Sequence, residues 1–475
     1  MAALWQFMLA ALGLTTLVHG QNFNNPVLWE DLADNEVIRV NDTYYFTAST
    51  MHYSPGAPIL RSYDLVNWEY LSHAVPTLDW GTKYDLTGGQ QAYVKGKAKI
   101  ATCYYDAGLL IDDDDTMYVA YGNTEISVAQ LSADGLSEAR KQDVYSTPSS
   151  IGTLEGSRMY KRNGKYYIFV TKPATSQYVL QASSPWGPYT VKALVESVAA
   201  PVSGAGNPHQ GSLVDTPDGK WYYMAFIDNY PGGRVPVLAP VTWGSDGFPA
   251  VTLSSGAWGK SYAYPATQRP VQSTLGTDTF SGTSLGPAWE WNHNPDTSKF
   301  TVSNGLTLST ATVTSDLYAA RNTLTKRIHG PQGVGTVVID FTSLGDGDRA
   351  GLSLLRQASA YIAVQRTGSS YAIVMYNGLS MTKSTWATSS TGSQAATTPI
   401  TQLRVWLRAT VDINPGSGKK GTFSYSLDGN TFVTFGSQLT LNSEWEFFMG
   451  YRYGIFNFAT KALGGSVKVE SFTSA

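Results

Sequence analysis

The sequence predicts an all-β protein, a β-propeller followed by a β-sandwich. The first sign is a polar turn leading into a Tyr-rich strand, which recurs four times in the first half. The copies are Asn41-Asp42-Thr43-Tyr44-Tyr45-Phe46-Thr47, Asp114-Asp115-Thr116-Met117-Tyr118-Val119-Ala120, Asn163-Gly164-Lys165-Tyr166-Tyr167-Ile168-Phe169 and Asp218-Gly219-Lys220-Trp221-Tyr222-Tyr223-Met224. Each is followed by a further strand pair, and four-strand units repeating every ~40–50 residues mark propeller blades. The second sign is a run of short alternating strands over residues 276–475, parted by turns such as Asn377-Gly378 and Asp428-Gly429. That spacing marks a sandwich.

In chain order, residues 1–20 are an apolar run ending in small residues, read as a signal peptide that lacks the usual N-terminal Lys or Arg. Nothing else reaches membrane-spanning length, so a secreted protein with no membrane partner is expected. Asn41-Asp42-Thr43 is a glycosylation sequon on a turn. Residues 21–253 form the expected propeller. Residues 254–275, with Ser254-Ser255-Gly256, Pro265 and Pro270, read as a linker, and 276–475 as the sandwich. Within the propeller the interval from Tyr45 to Tyr118 is about half as long again as the two that follow. It contains Tyr84 to Ile100, which has no Tyr-rich strand and is read as an incomplete blade. Nearby Cys103, the sole cysteine, is either a buried thiol or half of a bridge without its partner. Asp112-Asp113-Asp114-Asp115 lies between two apolar runs without calcium-loop spacing, which makes it a hairpin turn.

Composition narrows the partners. A net charge of −3 without a basic block excludes nucleic acid. Charged residues are only 15% of the chain, against roughly 25% in most soluble domains. The 29 Tyr and 13 Trp suit sugar stacking, although a β-rich core accounts for most of them equally well.

A propeller brings the inner strand of every blade to one axis, so acids near the starts of different inner strands can converge. Asp34 precedes Val37-Ile38-Arg39-Val40, Asp106 precedes Gly108-Leu109-Leu110-Ile111, and Glu155 precedes the Asn163-Gly164 hairpin. Burial at such a hairpin raises a glutamate towards a general acid's pKa. His209-Gln210-Gly211 holds the matching place in the fourth unit.

These runs resemble glycoside hydrolase family 43. The likeness rests on Asn25-Pro26-Val27-Leu28-Trp29 with Asp34, Ser49-Thr50-Met51-His52-Tyr53-Ser54-Pro55-Gly56-Ala57-Pro58 and Ser62-Tyr63-Asp64-Leu65-Val66-Asn67-Trp68. It continues through Cys103-Tyr104-Tyr105-Asp106-Ala107-Gly108, Leu154-Glu155-Gly156, His209-Gln210-Gly211 and Gly232-Gly233-Arg234. The C-terminal part resembles the concanavalin A-like sandwich of β-xylosidases, through Trp289-Glu290-Trp291-Asn292-His293-Asn294-Pro295-Asp296, Asp346-Gly347-Asp348-Arg349-Ala350-Gly351 and Gly450-Tyr451-Arg452-Tyr453-Gly454-Ile455-Phe456-Asn457.

The resemblance implies a five-bladed propeller, one blade of it incomplete here, and an inverting mechanism. Asp34 would be the general base, Glu155 the general acid, and Asp106 the residue that orients Glu155 and tunes it. Glu30 and Asp31 compete with Asp34, but strand alternation puts Asp34 and Glu36 on one face and Asp31 on the other. His209, with Gln210, would hold a central cation, a water or a substrate hydroxyl. Arg234 would clamp sugar hydroxyls and the acid cluster, and His52, Tyr53 and Tyr105 are candidate pocket walls. No cofactor is needed for the chemistry. Asp278 and Glu470, on the first and last sandwich strands, are candidate ligands for a structural Ca²⁺. The Trp29–Asp34 opening and the Asp112–Asp115 turn look most like fungal enzymes that remove α-L-arabinofuranose from arabinoxylan. The sandwich suits β-xylosidases acting on xylo-oligosaccharides equally well. A monomer is expected. Roughly a blade's worth of family sequence is missing before Cys103, so a xylan-binding protein without turnover is the competing expectation.

Overall fold

The computed structural model describes residues 21–87 and 103–475. The expected signal peptide and most of the expected incomplete blade lie outside them. Four antiparallel four-stranded sheets follow one another along the first half. Blade I is Ala33–Val40, Thr43–Ser49, Gly56–Ser62 and Trp68–Val75, and blade II is Gly108–Ile111, Met117–Asn123, Glu125–Leu131 and Glu138–Ser146. Blade III is Glu155–Arg162, Lys165–Lys172, Ser176–Ala182 and Thr190–Glu196, and blade IV is His209–Asp215, Trp221–Asp228, Arg234–Trp243 and Pro249–Val251. Every recurrent Tyr-rich run is the second strand of its blade. The turn before it carries a left-handed residue, Asn41, Asp115, Asn163 or Gly219, with φ of 57°, 63°, 50° and 80°. Asx and Gly side chains tolerate that conformation, so the chain reverses there. The Asp112–Asp115 run is such a turn, with Asp112 bonded by Lys161 and Tyr166 of blade III. Cys103 is exposed, not buried.

Alternation along these strands supplies the packing. Tyr44 and Phe46 of blade I meet Val214, Tyr222 and Met224 of blade IV. Tyr167 and Phe169 of blade III meet Tyr223 and Val235 of blade IV, and Tyr118 and Ala120 of blade II meet Ile168 and Val170 of blade III. The expectation of five blades is corrected, because the described residues form four. The run without a Tyr-rich strand contributes no sheet among them. The two faces that border the I–II junction record the difference. Blade I turns Val37 to blade IV and leaves Ile38 and Val40 55% and 49% exposed on its other face. Blade II leaves Leu109 and Ile111 55% and 60% exposed on the face turned away from blade III.

The expected linker is strapped to the propeller. Ser261–Ala263 pairs with Asn22–Asn24, Trp258 is buried beside Tyr223, and Arg269 N donates to Asp64 Oδ2 at 2.8 Å. The sandwich then packs a nine-stranded sheet against an eight-stranded one over a core that includes Leu324, Val337, Ile362 and Leu407. The edge strand of the eight-stranded sheet, Tyr53–Ser54, belongs to the propeller and pairs with Trp289–Asn292.

That shared strand seals a polar interface. Glu290 accepts from Arg327 Nη1 at 2.8 Å and Arg452 Nη1 at 2.5 Å, and lies 3.1 Å from His73 Nε2. Burial alone would raise the Glu290 carboxyl, but the two guanidinium groups hold it well below the ordinary carboxylate range. Removing one partner from such a network strands a buried charge, at a cost of about 3–5 kcal/mol. Asp278 and Glu470, the expected Ca²⁺ ligands, have protein partners in the structure. Asp278 accepts from Phe280 N and Trp289 Nε1, whereas Glu470 is paired with Arg404. Their oxygens serve different donors, and the described residues contain no group of three or more His, Cys, Asp or Glu able to hold an ion. A Ca²⁺ site needs about six to eight oxygens.

Candidate active site

The inner strands enter the axis through irregular backbone. Their pairing shifts register between Ala33 and Glu36, Glu155 and Arg158, and His209 and Gly211. Left-handed residues mark the same places: Asp34, Gly156 and Gln210 with φ of 54°, 68° and 37°, and Asp106 at 49° just ahead of blade II. A bulge re-aims side chains that regular pleating would turn elsewhere. Each left-handed non-glycine residue costs about 1–3 kcal/mol and persists only where its surroundings over-determine it.

Asp34 is over-determined in this way. Its Oδ1 accepts from Arg234 Nη1 at 3.0 Å, and its carbonyl accepts from Arg158 Nη2 at 3.0 Å. Arg234 also donates through Nε to Asp228 Oδ1 at 3.2 Å. Its guanidinium lies 5.0 Å from the ring centres of both Phe226 and Phe448. Phe448 comes from the sandwich. Buried Arg356 fixes its loop by donating to the carbonyls of Met449, Asn442 and Glu444 at 2.7, 3.0 and 2.5 Å. The competing acids are engaged elsewhere. Asp31 is buried, accepting from the backbone of Arg234 and of Gly450, each at 2.9 Å, so it pins the Arg234 strand to the Phe448 loop. Gly233 is required beside it, since a Cβ there would lie 2.1 Å from Asp31 Oδ1. Glu30 accepts from Tyr70 and Thr274.

Glu155 Oε2 accepts from Asn123 Nδ2 at 2.6 Å and from Tyr105 OH at 3.1 Å. Tyr105, expected as a wall, therefore touches an acid directly. Crowding by protein and the charges of Asp34 and Glu155 push the Asp106 carboxyl up to about 6, against the pull of Arg158 and Arg234. Asp106 thus lies within electrostatic reach of both other acids. His209 is buried against Phe226, with Nδ1 2.8 Å from the Asn207 carbonyl. Burial lowers its imidazole pKa, with Asp228 opposing. Gln210 N donates to Gln177 Oε1 at 2.9 Å, and its side chain packs on Gly156, next to Glu155.

Two expected wall residues are corrected. His52 is 1% exposed and Tyr53 0%, packed between propeller and sandwich against His293 and Phe447 and under Arg452 respectively, so neither lines an open pocket. Sequence reasoning missed Asn123, Arg158, Asp228 and Phe448. Their contacts join residues on separate strands or domains, and no local pattern marks them.

Carboxyl groups in contrasting environments, one on a guanidinium and one under neutral donors, are how a site divides acid from base duties. A propeller presenting them at its axis defines a glycoside hydrolase of the two-carboxylate class. Residues 23–91 and 90–249 match Glycosyl hydrolases family 43, and residues 277–474 match the Beta xylosidase C-terminal Concanavalin A-like domain. The chain is 45% identical to the solved structure of a family 43 glycoside hydrolase engineered for both endo-xylanase and exo-arabinofuranosidase activity, with a TM-score of 0.93 over 96% of this chain and 100% of that one. A β-xylosidase of Formosa agariphila is 27% identical over 94% of this chain and 89% of its own length. A non-reducing end α-L-arabinofuranosidase of Bacteroides ovatus is 26% identical over 58% of this chain and 62% of its own. The chain belongs to glycosyl hydrolase family 43.

Proposed function

We propose that this protein is an inverting exo-glycosidase that releases α-L-arabinofuranose from arabinoxylan. Asp34, oriented by Arg234, takes a proton from a water that attacks the anomeric carbon. Glu155 protonates the departing glycosidic oxygen from the opposite side. Both of its hydrogen bonds fall on Oε2, so Oε1 is the atom assigned to the leaving group. Asp106 sits beside both and sets their charge balance. The observation that carries the reading is that Asp106 lies within electrostatic reach of both Asp34 and Glu155, with Arg234 of blade IV bound to Asp34. Trp445, 56% exposed and 5.6 Å from Phe448, offers a stacking face for a main-chain xylose. The 45% identical structure, engineered for endo-xylanase and exo-arabinofuranosidase activity, supports arabinose removal. The β-xylosidase of Formosa agariphila supports β-1,4-xylosidase activity as the second reading. Secretion and a glycan on Asn41 belong to the proposal, Asn41 being exposed on the blade I turn.

The test is sugar release from wheat arabinoxylan, with nitrophenyl arabinofuranoside run against nitrophenyl xyloside and the product anomer read by NMR. Faster xyloside cleavage would move the assignment to xylosidase, and retained configuration would reject inversion. The open faces of blades I and II favour a third reading, xylan binding without turnover. Retardation in xylan-containing gels with no sugar released would establish it.

A further inference from the structure

We infer that Glu36 and Arg158 form a positioning strut across the propeller axis that fixes the base-bearing strand relative to the acid-bearing strand. The inference rests on Asp34 and Glu155 being base and acid. Glu36 lies two residues beyond Asp34 on the inner strand of blade I, and Arg158 three residues beyond Glu155 on that of blade III. In both strands the register shift ends at the strut residue, running from Ala33 to Glu36 and from Glu155 to Arg158. Arg158 is 6% exposed and uses all three nitrogens. Its Nε forms an ion pair with Glu36 Oε2 at 2.5 Å without the alignment of a hydrogen bond, while Nη2 donates to the Asp34 carbonyl at 3.0 Å and Nη1 to the Ser157 carbonyl at 2.9 Å. One planar cation therefore binds the main chain beside the acid and the left-handed main chain of the base. Glu36 Oε1 accepts from Tyr160 OH at 3.1 Å, and that hydroxyl accepts from Leu213 N of blade IV at 3.1 Å, which ties in the third blade.

The topology gives the strut its importance. Blades I and III are not neighbours in the ring. Among the described residues, the packed route between them passes through blade IV, because the I–II junction leaves Ile38, Val40, Leu109 and Ile111 exposed. Arg158, through Glu36 and the Asp34 carbonyl, and Tyr160, through Glu36, join the two strands directly, and a misplacement of about 1 Å costs about 10²-fold in rate. The pair also places a compensated charge among Asp34, Asp106 and Tyr160, so its two halves bias the acids in opposite directions.

The experiment compares kcat, KM and the pH profile of kcat/KM for wild type, Arg158→Met, Arg158→Lys and Glu36→Gln on the nitrophenyl pentoside cleaved best. Arg158→Met is expected to lower kcat about 10²-fold with KM within about threefold. Its acid limb moves to higher pH, because a cation that favoured the carboxylates has gone. Glu36→Gln leaves Arg158 uncompensated, so its acid limb moves to lower pH. Arg158→Lys keeps the charge and loses the fork, so kcat falls while the limb stays. Unchanged kcat in Arg158→Lys and Glu36→Gln, or limbs that move the same way, would overturn the strut. A double-mutant cycle on Tm needs no turnover: the losses of Glu36→Gln and Arg158→Met should combine to less than their sum, and simple additivity counts against the pair. Activity surviving in Asp34→Ala or Glu155→Ala would instead reject the base and acid assignment.

Discussion

The two sides of the candidate site are held by different means. Around Asp34, blade IV packs against blade I, Arg158 grips the backbone, and Arg234 is sandwiched between Phe226 and the sandwich-domain Phe448. Around Glu155 the partners are Asn123 and Tyr105, and Tyr105 is 42% exposed. Asn123 belongs to blade II and Tyr105 to the segment leading into it, and the other face of that blade borders the open junction. Where apolar surface is buried on both sides, a strained acid can be held in one conformation. Where it is not, the acid depends on a few hydrogen bonds at the surface. The Asp34 side, proposed to carry the base, is thus the more firmly held, and the Glu155 side, proposed to carry the acid, the less.

The sharpest test of that contrast removes each acid. Asp34→Ala and Glu155→Ala should each lower kcat/KM on arabinoxylan by about 10²–10⁴-fold. With an activated nitrophenolate leaving group, which needs little protonation, Glu155→Ala should recover most of that loss and Asp34→Ala none. Equal recovery in both would break the division of labour. A smaller effect follows from the partners. Phe448→Ala frees one face of Arg234 and should cost kcat about tenfold, whereas Asn123→Ala removes one of two bonds to Glu155 and should cost severalfold, in line with about 1 kcal/mol per hydrogen bond. The reverse ranking would mean that the acid side is the rigid one.

Asp106 gives a pH test. Its carboxyl is pushed up to about 6 in the folded protein, above an unfolded value of about 3.9. The stability it contributes is fully present below the unfolded value and is lost as pH rises through about 6. Asp106→Asn should therefore match wild-type Tm near pH 4 and exceed it near pH 7.5. Equal Tm differences at both pH values would show that Asp106 is not strained by its neighbours.

Part of this was legible in the sequence. Each Tyr-rich strand after a polar turn became the second strand of a blade, because alternation and turn chemistry are local. Alternation was the ground for setting Asp34 apart from Asp31, but the strand begins only at Ala33 and shifts register before Glu36, and it is the contacts of Asp31 with Arg234 and Gly450 that distinguish the two. Non-local facts were not legible. His52 and Tyr53 carry a motif that reads alike whether it faces a cavity or a partner domain, and the pairing of Tyr53–Ser54 with Trp289–Asn292 decides the matter. Asp278 does lie on a strand paired with that of Glu470, but Trp289 and Arg404 hold their oxygens. Phe448 reaches Arg234 from more than two hundred residues away.

The smallest effects are expected on the open faces, and there the contrast is most easily broken. Leu60 is 0% exposed between blades I and IV, so Leu60→Ala should cost about 2–5 kcal/mol through lost contacts and an unfilled cavity. Ile38→Thr and Leu109→Thr act on side chains that are each 55% exposed. They keep or lose little in β-propensity and should change the unfolding free energy from urea titration by no more than about 0.5 kcal/mol. A penalty for Ile38→Thr as large as that for Leu60→Ala would mean that this face is covered in solution. The acid side would then be as firmly supported as the base side, and the distinction between the two halves would fall.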